Sequence, residues 1–472
     1  MQPLWTSSEL SAVLGVEPDG GGSVSITGVS IDTRSLHHGD LFVALKDQRD
    51  GHDFVSAAFK AGASAALVSR GYSRQAGDGI LFRVSDPLEG LVDIGRASRR
   101  RLSPEARIVA VTGSAGKTGT KEMLRACFSP LGATHASEKS YNNHWGVPLT
   151  LARMPRDTQF GIFEIGMNHA GEIRPLTKMV RPHAAIITTV EAVHLEHFPS
   201  VEAIADAKGE IFEGLLPGGA AIIKYDNPYA RRLVATASRF GARPVTFGFD
   251  SHADVRGSDF RPSDDGSDFT VYLGGRTLSV HLATPGRHIA ENALAVAAAL
   301  DAVGADVARG LGALSDLTPP NGRGSRSLLC VGGGQALLID ESYNANPASM
   351  KAALATLGAV ARETYARRIA VLGDMLELGN DSPALHAGLK GAIDAAGVDL
   401  VFACGPQMKG LYDALPAAMK GGYSLTSSSI ETTLADHLRA GDVVMVKASN
   451  GTRLGAVVAA LKSRFGKDGP AA

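Results

Sequence analysis

At 472 residues the chain exceeds what one hydrophobic core usually serves, so two or three domains are expected. Its 47 basic and 48 acidic residues leave no charge excess to draw a nucleic acid or a membrane surface, and 44% apolar content is ordinary for a globular protein. Cys127, Cys330 and Cys404 stand apart with no Cys-x-x-Cys pair, which argues against a zinc ribbon or a disulfide framework and suits a reducing cytoplasm. The start, Met1-Gln-Pro-Leu-Trp-Thr-Ser, lacks a basic region followed by an apolar run, and no apolar stretch is long enough to span a bilayer. A soluble, unprocessed, cytoplasmic protein without an integral membrane segment is expected.

The first hundred residues mix short strands with helical segments such as Phe54 to Ala61. Ile31-Asp-Thr-Arg-Ser-Leu is followed by Gly39-Asp-Leu-Phe-Val-Ala-Leu45, a turn entering a strand. Ser30, Thr33 and Arg34 offer hydroxyls and a guanidinium to a phosphate or nucleotide, although hydroxyl-rich turns are commonly only turns.

The stretch that organises the chain comes next. Arg107-Ile-Val-Ala-Val-Thr112 reads as a buried strand, Gly119 to Arg125 has helical apolar spacing, and Gly113-Ser114-Ala115-Gly116-Lys117-Thr118 lies between. Small residues let successive N–H groups converge on phosphate oxygens at the positive end of the helix. Lys117 then suits the β/γ-phosphates of ATP and Thr118 suits Mg²⁺. Only two residues separate Gly113 from Gly116, where a generic phosphate loop has four.

From about residue 105 strands and helices alternate. Phe160 to Gly166, Ala184 to Val190 and Ala220 to Tyr225 read as buried strands of a mostly parallel sheet, whose ligands sit at the carboxyl ends. Polar strand-rich sequence from about 243 to 282 suggests a small antiparallel portion before a helix from Asn292 to Val303. The run Leu317-Thr-Pro-Pro-Asn-Gly-Arg-Gly324 has the composition of an interdomain connection. A second α/β series follows, with strands at Leu337–Asp340, Arg368–Leu372, Leu400–Ala403 and Asp442–Val446 and helices such as Ala348 to Ala361 and Leu454 to Phe465.

Glu164 inside an apolar strand is costly unless a metal or a cation receives it, so metal ligation and an arginine pair both stand open. His194 and His197 follow the next strand and could approach the same site or simply be solvated. Lys208 has the spacing of an ordinary solvated helix residue. Asn292 at a helix start, Arg323 at the domain break, and Asp340, Tyr343 and Asn346 on a loop after a strand could hold adenine, ribose or γ-phosphate; helix capping competes for Asn292 and Asn346.

Together these stretches resemble the Mur ligases, ATP-dependent amino-acid and peptide ligases of bacterial cell-wall synthesis. The matching segments are Ile31–Arg34, Gly51–Phe54, Thr112–Thr118, Asn142-Asn-His-Trp-Gly-Val-Pro148, Glu164–Met167, His194, Lys208, His288 with Asn292, and Arg323. The short phosphate loop is the family's own form. Asp340–Met350 and Leu372–Gly379 are similar to the member that adds D-alanyl-D-alanine to a UDP-N-acetylmuramoyl-tripeptide, while the Asp-Asn-Pro-Arg motif of the diaminopimelate-adding member is absent. Val446-Lys-Ala-Ser-Asn-Gly-Thr-Arg453 departs from the Gly-Ser-Arg sequence expected there.

The resemblance implies an α/β protein of three domains: 1–104 binding the UDP-linked substrate, 105–322 a mostly parallel phosphate-loop ATPase-type unit, and 323–472 a Rossmann-like unit closing on ATP and binding the dipeptide. It implies Lys117, Lys208 and His194 as catalytic groups, and Thr118, Glu164, His194 and a carbamylated Lys208 around Mg²⁺. Residues Gly113 to Gly119, Asn292, Arg323, Asp340, Tyr343 and Asn346 then meet ATP, and Ser30, Thr33, Arg34, Asn143 and His144 meet the UDP-linked substrate. A monomer is expected. A motor or signalling NTPase finds no support in the C-terminal segments, and a folylpolyglutamate-type ligase would not need them.

Overall fold

The computed structural model describes residues 3–193, 195–263 and 266–466. An α/β architecture emerges, with three mostly parallel sheets covered by helices. The first sheet has four parallel strands in chain order, Gly28–Ser30, Asp40–Val43, Ala65–Ser69 and Ile80–Val84. Helix Pro87–Arg100 follows it. Its N-cap Asp86 accepts the Leu88 N–H at 2.8 Å, and Pro87 occupies a first-turn position whose missing N–H costs nothing.

Nine strands form the second sheet. Their spatial order is Arg276–Leu282, Ser267–Leu273, Val255–Pro262, Arg243–Gly248, Ala220–Lys224, Ala184–Ile187, Arg107–Thr112, Phe160–Glu164 and Thr134–Ala136. The antiparallel portion is narrower than the sequence suggested, because Arg243–Gly248 pairs in parallel with both neighbours and only the last two pairings, among Val255–Pro262, Ser267–Leu273 and Arg276–Leu282, are antiparallel. Successive side chains alternate between two cores. Val109, Val111, Ile162, Ile186 and Ile222 pack under helices Lys117–Phe128 and Arg287–Ala302. Ile108, Ala110, Phe163, Ala185 and Ile223 pack on the other face, under helices Ile173–Val180 and Val201–Gly209.

The third sheet is ordered Ser325–Val331, Gly334–Glu341, Asp442–Lys447, Arg367–Gly373, Leu400–Cys404 and Lys420–Ser424, with only its first pair antiparallel. One helix boundary differs from expectation. The helix assigned from Asn292 begins at Arg287, after Gly286 in a positive-φ conformation (138°), so Asn292 lies inside it and is not its cap. Among the described residues no helix is long and apolar enough to cross a membrane.

Candidate active site

The phosphate loop joins strand Arg107–Thr112, at the centre of the parallel strands, to helix Lys117–Phe128. Gly113 has φ 150° and Gly116 φ 82°, which lets the backbone fold tightly here. A Cβ on Gly113 would lie 1.9 Å from the Thr188 hydroxyl, and one on Gly116 would lie 2.9 Å from Asn292 Oδ1. The neighbouring strand end fixes the loop: the Ser114 N–H donates to Thr189 O at 2.9 Å, and Glu191 N–H to Ser114 Oγ at 2.9 Å. Among the described residues no side chain caps the helix that follows, so its first N–H groups are left for an anion.

Lys117 is half-buried and its ammonium folds back onto Gly113 O at 2.7 Å. Burial lowers its pKa, the Glu164 carboxylate opposes that shift, and Arg323 adds to it. Glu164 stands at the end of its strand, 2% exposed, accepting Thr118 Oγ1–H at 2.8 Å and Asn142 Nδ2–H at 2.7 Å. Ser140 Oγ lies 3.3 Å from Thr118 Oγ1. No arginine pairs with Glu164 among the described residues, so the ion-pair alternative fails. A carboxylate and two hydroxyls are hard oxygen donors of the type Mg²⁺ prefers. Among the described residues no group of three His, Cys, Asp or Glu has metal-holding geometry. The fit therefore rests on this mixed oxygen set.

Lys208 is not the solvated helix residue that its spacing suggests. It is 2% exposed, and burial, followed by the nearby Lys117 ammonium, lowers its pKa well below that of an ordinary lysine. Its ammonium has no hydrogen-bond or ion-pair partner among the described residues. His194 lies outside the described residues. His197 is exposed, its ring 4.4 Å from that of His169.

Arg323 stacks over Tyr343 at 4.1 Å, and with Gly119, Met123, Thr284, Leu317 and Pro320 it lines a small, largely apolar slot beside the loop helix. Asn346 does two jobs. Its Oδ1 accepts the Ser349 N–H at 2.8 Å, capping helix Pro347–Gly358, while Nδ2 donates to Ser114 O at 3.4 Å. Asp340 joins two turns, accepting the Gly322 N–H at 2.9 Å and the Ser342 N–H and hydroxyl at 3.1 and 2.6 Å. It holds the turn that presents Arg323 and Tyr343.

A second cleft, of about 1740 Å³, opens on the four-stranded sheet. Thr33, Arg34 and His144 line it, with His52, Tyr72, Lys139, Tyr141 and Trp145. Arg34 grips Asp32 through Nε at 3.0 Å and Nη2 at 2.6 Å, holding the Asp32 carboxyl down at about 2. Ser30 and Asn143 are absent from this wall. Ser30 is fully buried with its hydroxyl on Asp32 O at 3.0 Å, and Asn143 Oδ1 accepts the Gly146 N–H at 2.9 Å. Sequence reasoning singled out neither Ser140 nor Asn142; the Asn-Asn-His run signals a site, but which of two adjacent amides meets Glu164 depends on the loop's course.

Residues 111–300 match the Mur ligase middle domain and residues 328–450 the Mur ligase, glutamate ligase domain. A UDP-N-acetylmuramoyl-tripeptide–D-alanyl-D-alanine ligase of Rickettsia prowazekii is 32% identical over 96% of this chain and 99% of its own. The enzyme of that name from Escherichia coli is 38% identical over 85% of this chain and 86% of its own. The crystal structure of MurF from Acinetobacter baumannii superposes with a TM-score of 0.83 at 27% identity, covering 97% of this chain and 98% of that one.

Proposed function

We propose that this chain, which belongs to the Mur ligase family, joins D-alanyl-D-alanine to UDP-N-acetylmuramoyl-tripeptide with ATP, forming ADP, in peptidoglycan synthesis. The observation that carries the reading is the Thr118–Glu164 pair at the mouth of an uncapped glycine loop, in a chain whose relatives bear that activity's name. The domain roles follow: residues 1–104 take the UDP-linked substrate, 105–322 hold ATP, and 323–472 close on ATP and present the dipeptide. The protein works in the cytoplasm as a monomer.

ATP transfers its γ-phosphoryl group to the tripeptide carboxylate. The dipeptide's amine then attacks the carbonyl carbon of that acyl phosphate, and phosphate leaves from the tetrahedral intermediate. Lys117 exchanges the Gly113 carbonyl for phosphate oxygens and stabilises the transferring charge. The loop amides cradle the phosphates, and Asn292, Arg323, Tyr343 and Asn346 surround the nucleoside and γ-phosphate. Thr118 and Glu164 would hold Mg²⁺, together with His194 and a carbamylated Lys208; the ion supplies Lewis-acid polarisation of the phosphoryl oxygens when bound. Burial beside Lys117 supports that modification, since a neutral amine is the form that adds to CO₂. Thr33, Arg34 and His144 face the UDP-linked substrate.

The test is phosphate release and product mass with each substrate omitted in turn, comparing D-alanyl-D-alanine with L-alanyl-L-alanine, D-alanine, diaminopimelate and glutamate. Turnover should require the UDP-linked tripeptide and be completed by D-alanyl-D-alanine alone. Misplacing the attacking amine by ~1 Å can cost about 10²-fold, so inverted stereochemistry should not be tolerated. Diaminopimelate addition to a dipeptide precursor would place the enzyme one step earlier, and glutamate addition to a folate would remove it from cell-wall synthesis. Running diaminopimelate and lysine tripeptides side by side identifies the third residue. For the modification, labelled bicarbonate should give a carbamate resonance that Lys208→Ala lacks.

A further inference from the structure

Lys121 stands on the helix that starts at the phosphate loop, yet its side chain is 1% exposed. Its ammonium donates to Ser137 O at 2.7 Å and Lys139 O at 3.4 Å and pairs with Glu122 Oε1 at 2.7 Å. Residues 137–145, which it holds, contain no helix or strand, so no ladder is there to take those carbonyls. A buried ammonium is costly unless its partners are fixed, and here the partners are the backbone of a loop.

That loop reaches both clefts. Ser140 Oγ lies beside Thr118 and Asn142 donates to Glu164, whereas Lys139, Tyr141 and His144 line the cleft on the four-stranded sheet. It is tied on either side of its middle: Lys121 holds Ser137 and Lys139, and the Gly166 N–H donates to Asn142 O at 2.8 Å. Between those ties only Ser140 and Tyr141 remain. One faces the nucleotide centre, the other the second cleft.

We propose that Lys121 is a positioning residue that sets the course of residues 137–145, and that this loop couples occupancy of the phosphate loop to binding of the UDP-linked substrate. A ligand that engages the Thr118 hydroxyl makes Ser140 and Glu164 re-pair. With the chain tethered on both sides of Ser140 and Tyr141, the adjustment must pass into Tyr141 and its neighbours. The inference rests on the reading that the second cleft takes the UDP-linked substrate.

The test is calorimetric titration of the full chain with Mg²⁺ plus β,γ-methylene-ATP and with UDP-N-acetylmuramoyl-tripeptide, each alone and in the presence of the other. In the unmodified protein each ligand should tighten the other about tenfold, inside the usual span of coupling between sites. Lys121→Met should keep its affinity for the nucleotide alone, lose the coupling to a factor of about 1, and raise KM for the UDP-linked substrate more than KM for ATP. A merely structural role would weaken both ligands together. Ser140→Ala, which removes one half-buried hydroxyl, should lose the coupling as well and keeps the test decisive if Lys121→Met folds poorly. Coupling that survives in Ser140→Ala, or equal weakening of both ligands in Lys121→Met, overturns the proposal. Failure of the unmodified protein to bind the UDP-linked substrate would instead overturn the reading of the cleft.

Discussion

The nine-stranded sheet meets its two neighbouring units across seams of opposite character. Toward the four-stranded sheet the cores interpenetrate: Val92, from helix Pro87–Arg100, packs with Leu151 and Phe163, while Leu149 and Ala152 pack with Leu10, Val29 and Leu91. Buried polar bonds stitch the same boundary. Trp5 Nε1 donates to Ala152 O at 3.0 Å, Ser98 Oγ to Met154 O at 3.2 Å and Arg153 Nε to Val29 O at 2.6 Å, with Arg101 stacked 3.6 Å over Trp5. Toward the six-stranded sheet no core is shared among the described residues, since both of its clusters draw every member from residues 329–465. The contacts there are lighter: Asn346 reaches Ser114 O, and a Cβ on Gly379 would sit 3.4 Å from Glu196 Cα. One seam is a continuous core, and the other rests on contacts between separately packed units.

The largest expected effect breaks the first seam. Trp5→Ala should cost about 3–5 kcal/mol, the usual range for emptying a buried aromatic site. Scanning calorimetry with limited proteolysis should show the four-stranded and nine-stranded units melting together at a lower temperature. Separate melting would show that the shared core does not join them. Next comes Lys117→Ala, at the mouth of the second seam, where loss of a charge stabiliser should cost about 10²–10³ in kcat, roughly 2.7–4 kcal/mol, with a native circular-dichroism spectrum. Near-normal turnover would refute the assigned role.

Asn346→Ala probes the second seam alone. It removes a helix cap, a loss of about 1 kcal/mol, and the bond to Ser114, so KM for ATP should rise while the melting temperature of the other two units stays put. The smallest effect concerns His183, beside the first seam, whose Nδ1 accepts the Ile108 N–H at 2.9 Å. Burial first, then Arg99, depresses its pKa from 6.5 to about 4. Below pH 6.5 the unfolded chain takes up a proton that the folded chain refuses, so this contribution to stability is present above that pH and lost as pH falls toward 4. A His183→Asn variant should show a shallower fall of melting temperature across that window; an unchanged slope would remove His183 as the cause.

The phosphate loop was legible because strand, glycines and Lys-Thr are contiguous, and Glu164 because a carboxylate in an apolar strand is conspicuous. The burial of two lysines was not. Lys121 and Lys208 sit at helix positions that periodicity assigns to solvent, and only the packing of the 137–145 loop and of the Lys117 site shows otherwise. Ser30 and Asn143 went the other way: short polar side chains at turns bond their own backbone first, and here that use prevails. The early start of the Arg287–Ala302 helix was hidden because Arg-His-Ile-Ala-Glu gives little apolar periodicity, so the alanine-rich run alone marked it.

The pairing of Val111 with Glu164 bears on which length changes this protein can absorb. In a strand, neighbours along the chain face opposite sides, so inserting or deleting one residue within Phe160–Glu164 would bring Phe163 or Ile165 over the phosphate-loop helix and push the carboxylate into the oily layer behind. A two-residue change would restore the side but move the oxygen atoms nearly 7 Å along the strand. Natural variation in length should therefore collect in surface turns such as Gly274-Gly275, where nothing lies within reach of an added Cβ on Gly275, and be missing from the five residues that carry Glu164 to its place.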